Sequence, residues 1–307
     1  MVIQERHANA DRLPRHCSPA TAARDFDVVD FTSGVVSIGR FRCDVRHPSF
    51  GDSGPIRDAV VVFPRTSVWI RHEGGRPFVA DPNVVTIYNR GQRYERMPIS
   101  PAGDRCDWFA VSDAAAREII AGIAPARAES PERPFAFDRA RAPAALYARQ
   151  RVLLRRTLAG QASALEVEEE SLAIVDAVLR LAHAARPAES PATASPRRRD
   201  LAEATRAELA RTALENRSVG DLARSVGASP FHLCRVFREQ TGETMHRYRV
   251  GLRVRAAIEQ LEAPMRGARP SLSAVAHGAG FASHAHFVRI CQRELGLTPA
   301  RLRAQLG

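Results

Sequence analysis

Arg235 and Arg289 occupy matching places in two half-matching stretches, residues 218–244 and 271–299. A guanidinium on an exposed helix face can donate two hydrogen bonds to guanine O6 and N7, and small apolar groups beside it can meet a thymine methyl. In the first stretch Leu233, Val236 and Phe237 fall on one side of a helix. Phe231, His232, Cys234, Arg235 and Arg238 fall on the other. In the second, Phe287, Ile290, Cys291 and Leu295 form the inward face, and His284, Ala285, Val288, Arg289 and Gln292 face out. The chemistry offered is recognition of base edges in double-stranded DNA.

Residues suited to bond breaking or metal binding are sparse. His72-Glu73 stands alone, with no further histidine before His183. His284 and His286, two apart on a helix, point away from each other and cannot hold one ion. There is no nucleophile elbow, P-loop or GxGxxG. The five cysteines (Cys17, Cys43, Cys106, Cys234 and Cys291) are odd in number and scattered, without a C-x-x-C pair. That argues against a disulfide framework and a zinc ribbon and, with no secretory signal read at the start, points to the reducing cytoplasm. The expectation is a non-enzyme with no catalytic residue, metal or cofactor. One polar, aromatic stretch, Tyr88-Asn89-Arg90-Gly91-Gln92-Arg93-Tyr94-Glu95-Arg96, reads either as a solvated hairpin or as the rim of an effector site. Arg90, Arg93 and Arg96 would there meet an anionic or hydroxylated molecule.

The two reading faces need a scaffold, and the repeat supplies it. Ala223 matches Ala276 and Gly227 matches Gly280; with one residue added in the second turn, Ser229 matches Ser283, Gly242 matches Gly296 and Thr244 matches Thr298. Each copy reads as a short apolar helix, a glycine turn, a serine cap and an arginine-bearing helix stopped by glycine. That is a helix-turn-helix, present twice. The helix expected over 244–262 spans close to ~30 Å at 1.5 Å per residue. It can hold the reading helices about one duplex turn, roughly 34 Å, apart.

Upstream, short runs broken by Gly, Pro and Asp read as strands at 31–37, 41–45, 59–63, 67–71, 78–80, 84–88, 93–99 and 106–111, an antiparallel sandwich or barrel. His72-Glu73-Gly74-Gly75-Arg76 reads as a tight turn. Helical periodicity follows over 113–123, then 143–158 and 165–185, an amphipathic hairpin turning near Gly160. Its stripe either packs on the strands or dimerises. The Pro-, Ala- and Ser-rich segment before Leu201, ending in Arg197-Arg198-Arg199, reads as a linker.

The chain has 307 residues, a net charge of +11 and no lysine, and no apolar run approaches the 18 residues of a membrane span. The first 24 residues are polar and read as a disordered tail, not a secretory signal. Residues 201–307 carry 16 arginines against 9 acidic residues, so most of the positive charge lies in the last third. That clustering favours nucleic acid over a membrane surface.

The stretch from about 204 to 305 resembles the AraC/XylS family of bacterial transcription regulators. The resemblance rests on DLARSVGASPFHLCRVFREQTG, then Tyr248, Arg253 and Ala257, then AVAHGAGFASHAHFVRICQRELGLTPARLR. It implies base contacts from Phe231, Cys234 and Arg235 in the first reading helix, and from His284, Ala285, Val288 and Arg289 in the second. Cys291 stands where the family has Phe, which predicts a looser second core. The resemblance also implies an N-terminal cupin-like sensor that binds an effector and dimerises. The expected fold is α+β multidomain: an N-terminal cupin-like antiparallel β-barrel with a helical hairpin, and an all-α C-terminal domain with two helix-turn-helix motifs. Expected boundaries are 1–24 tail, 25–125 β sensor, 126–186 helical connector and dimerisation region, 187–200 linker and 201–307 DNA-binding domain. Expected partners are double-stranded DNA, RNA polymerase, a small-molecule effector and a second copy in a homodimer. Two rival readings stand beside this regulator: a cupin-type metalloenzyme fused to a DNA-binding module, and an effector-free interaction domain on the same module.

Overall fold

A computed structural model describes residues 26–52, 54–128, 133–185, 195–262 and 269–307. The tail expected over 1–24, Cys17 and the linker as far as residue 194 lie outside them.

The strands are β1 (Asp27–Thr32), β2 (Val36–Cys43), β3 (Ala59–Pro64), β4 (Val68–His72), β5 (Phe78–Ala80), β6 (Val84–Tyr88), β7 (Tyr94–Pro98), β8 (Asp104–Val111) and β9 (Arg139–Arg141). They form two antiparallel sheets, one ordered β1-β2-β8-β3-β6-β9 and one ordered β5-β4-β7. This corrects the expected barrel, because the sheets do not close on each other. β3 ends at Pro64, which has no N–H to carry the ladder on, and the chain then crosses into the smaller sheet. The run 31–37 is not one strand. Ser33 turns the chain there, its hydroxyl accepting from the Val35 and Val36 amides.

Alternation along the central strands feeds two cores. Val36, Ile38, Ala59, Val61, Phe63, Phe109 and Val111 face helices. Phe41, Cys43, Val60, Cys106, Trp108 and Ala110 face the small sheet. With both faces buried, these strands read as apolar runs rather than as strict alternation. Gly39 is required where it stands, since a Cβ there would lie 2.4 Å from the Trp108 ring.

The helices are α1 (Asp113–Ala121), the short α2 (Pro125–Ala128), α3 (Ala144–Leu158), α4 (Ala164–Ala184), α5 (Pro196–Arg211), α6 (Val219–Ser225), α7 (Pro230–Thr241), α8 (Met245–Leu261), α9 (Leu272–Gly278), α10 (His284–Leu295) and α11 (Pro299–Leu306). The α3–α4 stripe, read as either packing or dimer surface, packs internally. Leu153, Leu154, Ile174, Val175, Val178 and Leu179 are buried in the core shared with the large sheet. α5 starts inside the expected linker, at Pro196 in the first turn, where the missing N–H leaves no helical bond unmade. The arginine run therefore lies on a helix, and Arg198 pairs with Glu239 of α7. No helix among the described residues is long and apolar enough to cross a membrane.

Candidate nucleic-acid interface

The two motifs share a turn bond for bond. The Ala228 amide donates to Ala223 O at 2.9 Å, and the Phe281 amide donates to Ala276 O at 2.9 Å. Gly227 and Gly280 supply φ values of 68° and 79°, which side-chain-bearing residues resist. The Ser229 hydroxyl then accepts from the His232 amide, and the Ser283 hydroxyl from the His286 amide. Gly242 and Gly296 close the reading helices α7 and α10 in the left-handed conformation. Thr244 and Thr298 cap the helices that follow.

The inward faces are filled differently. Leu233, Val236 and Phe237 are buried in the first motif, and Phe287, Ile290 and Cys291 in the second. Cys291 stands where the first motif has Phe237. Phe287 stands opposite the smaller Leu233 and lies 5.0 Å from the Phe281 ring, so the missing volume is made up one turn earlier. Burial pushes the Cys291 thiol up to about 12.

The outward faces are open. Phe231 is 80% exposed, and His232, Cys234, Arg235, Arg238, His284, Ala285 and Arg289 are also exposed, while Val288 is half-buried. Many other arginines of this region are spent internally: Arg249 donates to Arg217 O, Arg253 to Ala213 O and Glu215 O, and Arg206 to Glu203. Arg235, Arg238 and Arg289 have no side-chain partner among the described residues, so their donors face solvent.

α8, with 17 residues, joins the motifs and spans about 25 Å. Its other face is bolted to the upstream region. Asn83 donates to Tyr248 O at 2.9 Å and Tyr248 donates to Asp81. Gly251 permits this approach, since a Cβ there would meet Asn83 Oδ1 at 2.5 Å. Arg65 reaches Glu259 through Nε at 2.9 Å, and Tyr147 donates to the same carboxylate at 2.9 Å. Arg151 donates to Glu262 at 2.7 Å and pairs with Asp107. Burial raises the Asp81 and Glu262 carboxyls above the usual range. Burial would raise Glu203 as well, but Arg206, Arg139 and the Val79 amide outweigh it and hold this carboxyl low. Sequence gave no sign of this seam, whose partners lie 111 to 194 positions apart in the Arg65, Arg151 and Tyr147 bonds.

The three upstream arginines part company. Arg96 is not available to an effector. It is 3% exposed, pairs with Asp104 at 2.9 Å, donates to Phe50 O and Ser49 O, and lies over the Phe41 ring. Arg90 pairs with Asp113 at 2.8 Å. Arg93 is exposed and makes no ion pair among the described residues, and it lines a cleft of about 740 Å³ that also holds Arg117, Arg133, Glu73 and Asp138. His72 is buried, with Nδ1 2.9 Å from Asp138. Among the described residues no three His, Cys, Asp or Glu side chains gather in a way that could hold a metal.

Residues 222–305 match a family model described as a helix-turn-helix domain. The DNA-binding domain of AdpA, a global transcriptional factor crystallised with a target DNA, is 31% identical over 34% of this chain and 89% of that one, with a TM-score of 0.30. A transcriptional regulator from Chromobacterium violaceum with an AraC-type DNA-binding domain is 24% identical over 37% of this chain and 97% of that one (TM-score 0.33). ToxT from Vibrio cholerae O395 is 11% identical over 88% of this chain and 97% of its own (TM-score 0.33). No curated protein matches the chain. The C-terminal third carries a DNA-binding helix-turn-helix domain of the AraC type.

Proposed function

We propose that the protein binds specific sites on double-stranded DNA with α7 and α10 in successive major grooves, and acts on RNA polymerase from there in the cytoplasm. Base reading falls to Arg235 and Arg289, with Phe231, Cys234, His284, Ala285 and Val288 as apolar or weakly polar neighbours, and His232 and Arg238 at the edges. The observation that carries this reading is the pair of matched, exposed and unpartnered arginines on two equally capped helices. The region 26–185 is the controlling unit, acting through its seam with α8, and Arg93 remains as the exposed arginine of its rim.

Arg289→Ala is expected to weaken binding to a selected site by about 1–3 kcal/mol and to relax one base position. Site selection from random DNA, followed by titration at fixed salt, reads both effects. A loss of affinity equal for all sequences would reduce Arg289 to a phosphate contact.

A further inference from the structure

The reading helix α7 carries one large apolar side chain that the fold does not use. Phe231 is 80% exposed, more than any other large apolar residue among those described. Among the described residues it joins no hydrophobic cluster and makes no ring or cation–π contact. Nor does it help to start the helix. Ser229 is the cap, and the apolar pair that staples a first turn, one residue before the cap and four after it, is Ala228 and Leu233. Both of these pack in the small core of the first motif. Leaving a phenyl ring in water forgoes the stabilisation that burial brings, and its neighbours indicate what it faces instead. At about 100° per residue, Phe231 lies between Arg238 and Arg235 within an arc of about 60°. Both arginines are exposed. In a helix-turn-helix the first residues of the second helix come nearest the base edges, and Phe231 stands in that first turn. Arg235 follows it one turn later on the same face, where Cβ atoms are roughly 5–6 Å apart.

A phenyl ring beside a guanidinium selects a particular pair of groups in the major groove. The guanidinium matches O6 and N7 of guanine, and the ring needs an apolar patch next to that guanine. The one apolar substituent that base edges display in this groove is a methyl at C5 of a pyrimidine. Thymine bears it by nature, and cytosine gains it by methylation.

We propose that α7 reads a C5-methylated pyrimidine in a base pair next to the guanine held by Arg235, with the Phe231 ring against the methyl. Thymine and 5-methylcytosine present that methyl at the same place in the groove, so both serve, and a site with cytosine there is bound more tightly once it is methylated. The second reader differs. Ala285 stands at the place matching Phe231, and Arg289 at the place matching Arg235. A one-carbon side chain offers far less apolar surface, so the dependence on a methyl belongs to the half-site read by α7. This inference rests on base reading by Arg235, as put forward above.

The test uses the full chain and duplexes carrying a site selected from random DNA. Arg235→Ala first marks the guanine, as the position whose preference it relaxes. Each thymine in the two neighbouring base pairs is then replaced by deoxyuridine, which lacks only the methyl, and affinity is read by fluorescence anisotropy at fixed salt. Loss of one buried methyl should weaken binding about fourfold. Cytosine in place of the same thymine should also bind more weakly, and 5-methylcytosine should recover about that factor over cytosine. Deoxyuridine in the half-site read by α10 should change affinity less. Phe231→Ser, with an unchanged unfolding midpoint, should bind thymine and uracil duplexes alike. Equal binding of the two duplexes by the wild type, a thymine preference that survives Phe231→Ser, or a selected site with no thymine in either neighbouring base pair would each overturn the proposal. A cost from uracil with no gain from 5-methylcytosine would overturn the response to methylation. If no site is selected, or if Arg235→Ala relaxes no base, base reading by Arg235 falls and the proposal with it, whereas equal binding of thymine and uracil duplexes leaves that reading intact.

Discussion

Gly227 and Gly280 hold equivalent turns at positive φ, yet they are not equally replaceable. A Cβ at Gly227 would meet open space, whereas one at Gly280 would lie 2.9 Å from Leu214 O and 3.0 Å from Arg253 Nε. Gly227→Ala should cost about 1 kcal/mol, the penalty of a left-handed residue. Gly280→Ala should cost about 1 kcal/mol more, because it also displaces the segment that Arg253 holds. Urea unfolding of the two variants measures the gap, and equal costs would mean that the Leu214 contact yields freely. At this scale the sequence was informative where bonds are local. The serine caps, glycine stops and exposed arginines are set by neighbours within a turn or two. Arg96 was misjudged because its partners, Ser49 and Phe50 on one side and Asp104 on the other, come from two places that only the fold brings together.

Among elements, the strands over 59–64, 68–72, 78–80, 84–88 and 94–98 stood close to where their β-branched runs and glycine turns put them. The barrel did not, since closure depends on which edges pair, and no local pattern records that. β9 was missed because Arg139-Ala140-Arg141 has no strand signature, and it is held only by pairing with β6. The packing of α10 shows the same limit in reverse. Cys291 read alone suggests a void, while the paired rings of Phe287 and Phe281 add volume beside it. Restoring the aromatic with Cys291→Phe should therefore destabilise the protein by about 1–3 kcal/mol through overpacking. A stabilised variant in urea unfolding would show that a void existed after all.

Across the whole molecule, the seam along α8 makes stability depend on pH in an unusual direction. Burial raises the folded-state pKa of Asp81 above its unfolded value of about 4. Over the window above that value the folded chain keeps a proton the unfolded chain has released, so this group's contribution falls as pH rises. Asp81→Asn cannot titrate. Wild type should lose stability relative to the variant as pH rises above about 4, as read by urea unfolding at each pH. A difference independent of pH would mean that Asp81 keeps an ordinary carboxylate in the fold.

The second motif shares its core with the large sheet: Val250, Val254, Phe287 and Ile290 belong to the same cluster as Ile38, Val61 and Phe109. The first motif closes on a small cluster of its own, around Leu209, Leu233, Phe237 and Tyr248. The two readers therefore keep different clocks. Amide protons of α7 can trade with deuterium when a few side chains part, whereas those of α10 must wait for the sheet to open as well. In exchange followed by mass spectrometry, peptides from α7 should label well before those from α10. A site on DNA would then be met by one reader already set in place and one still free to adjust.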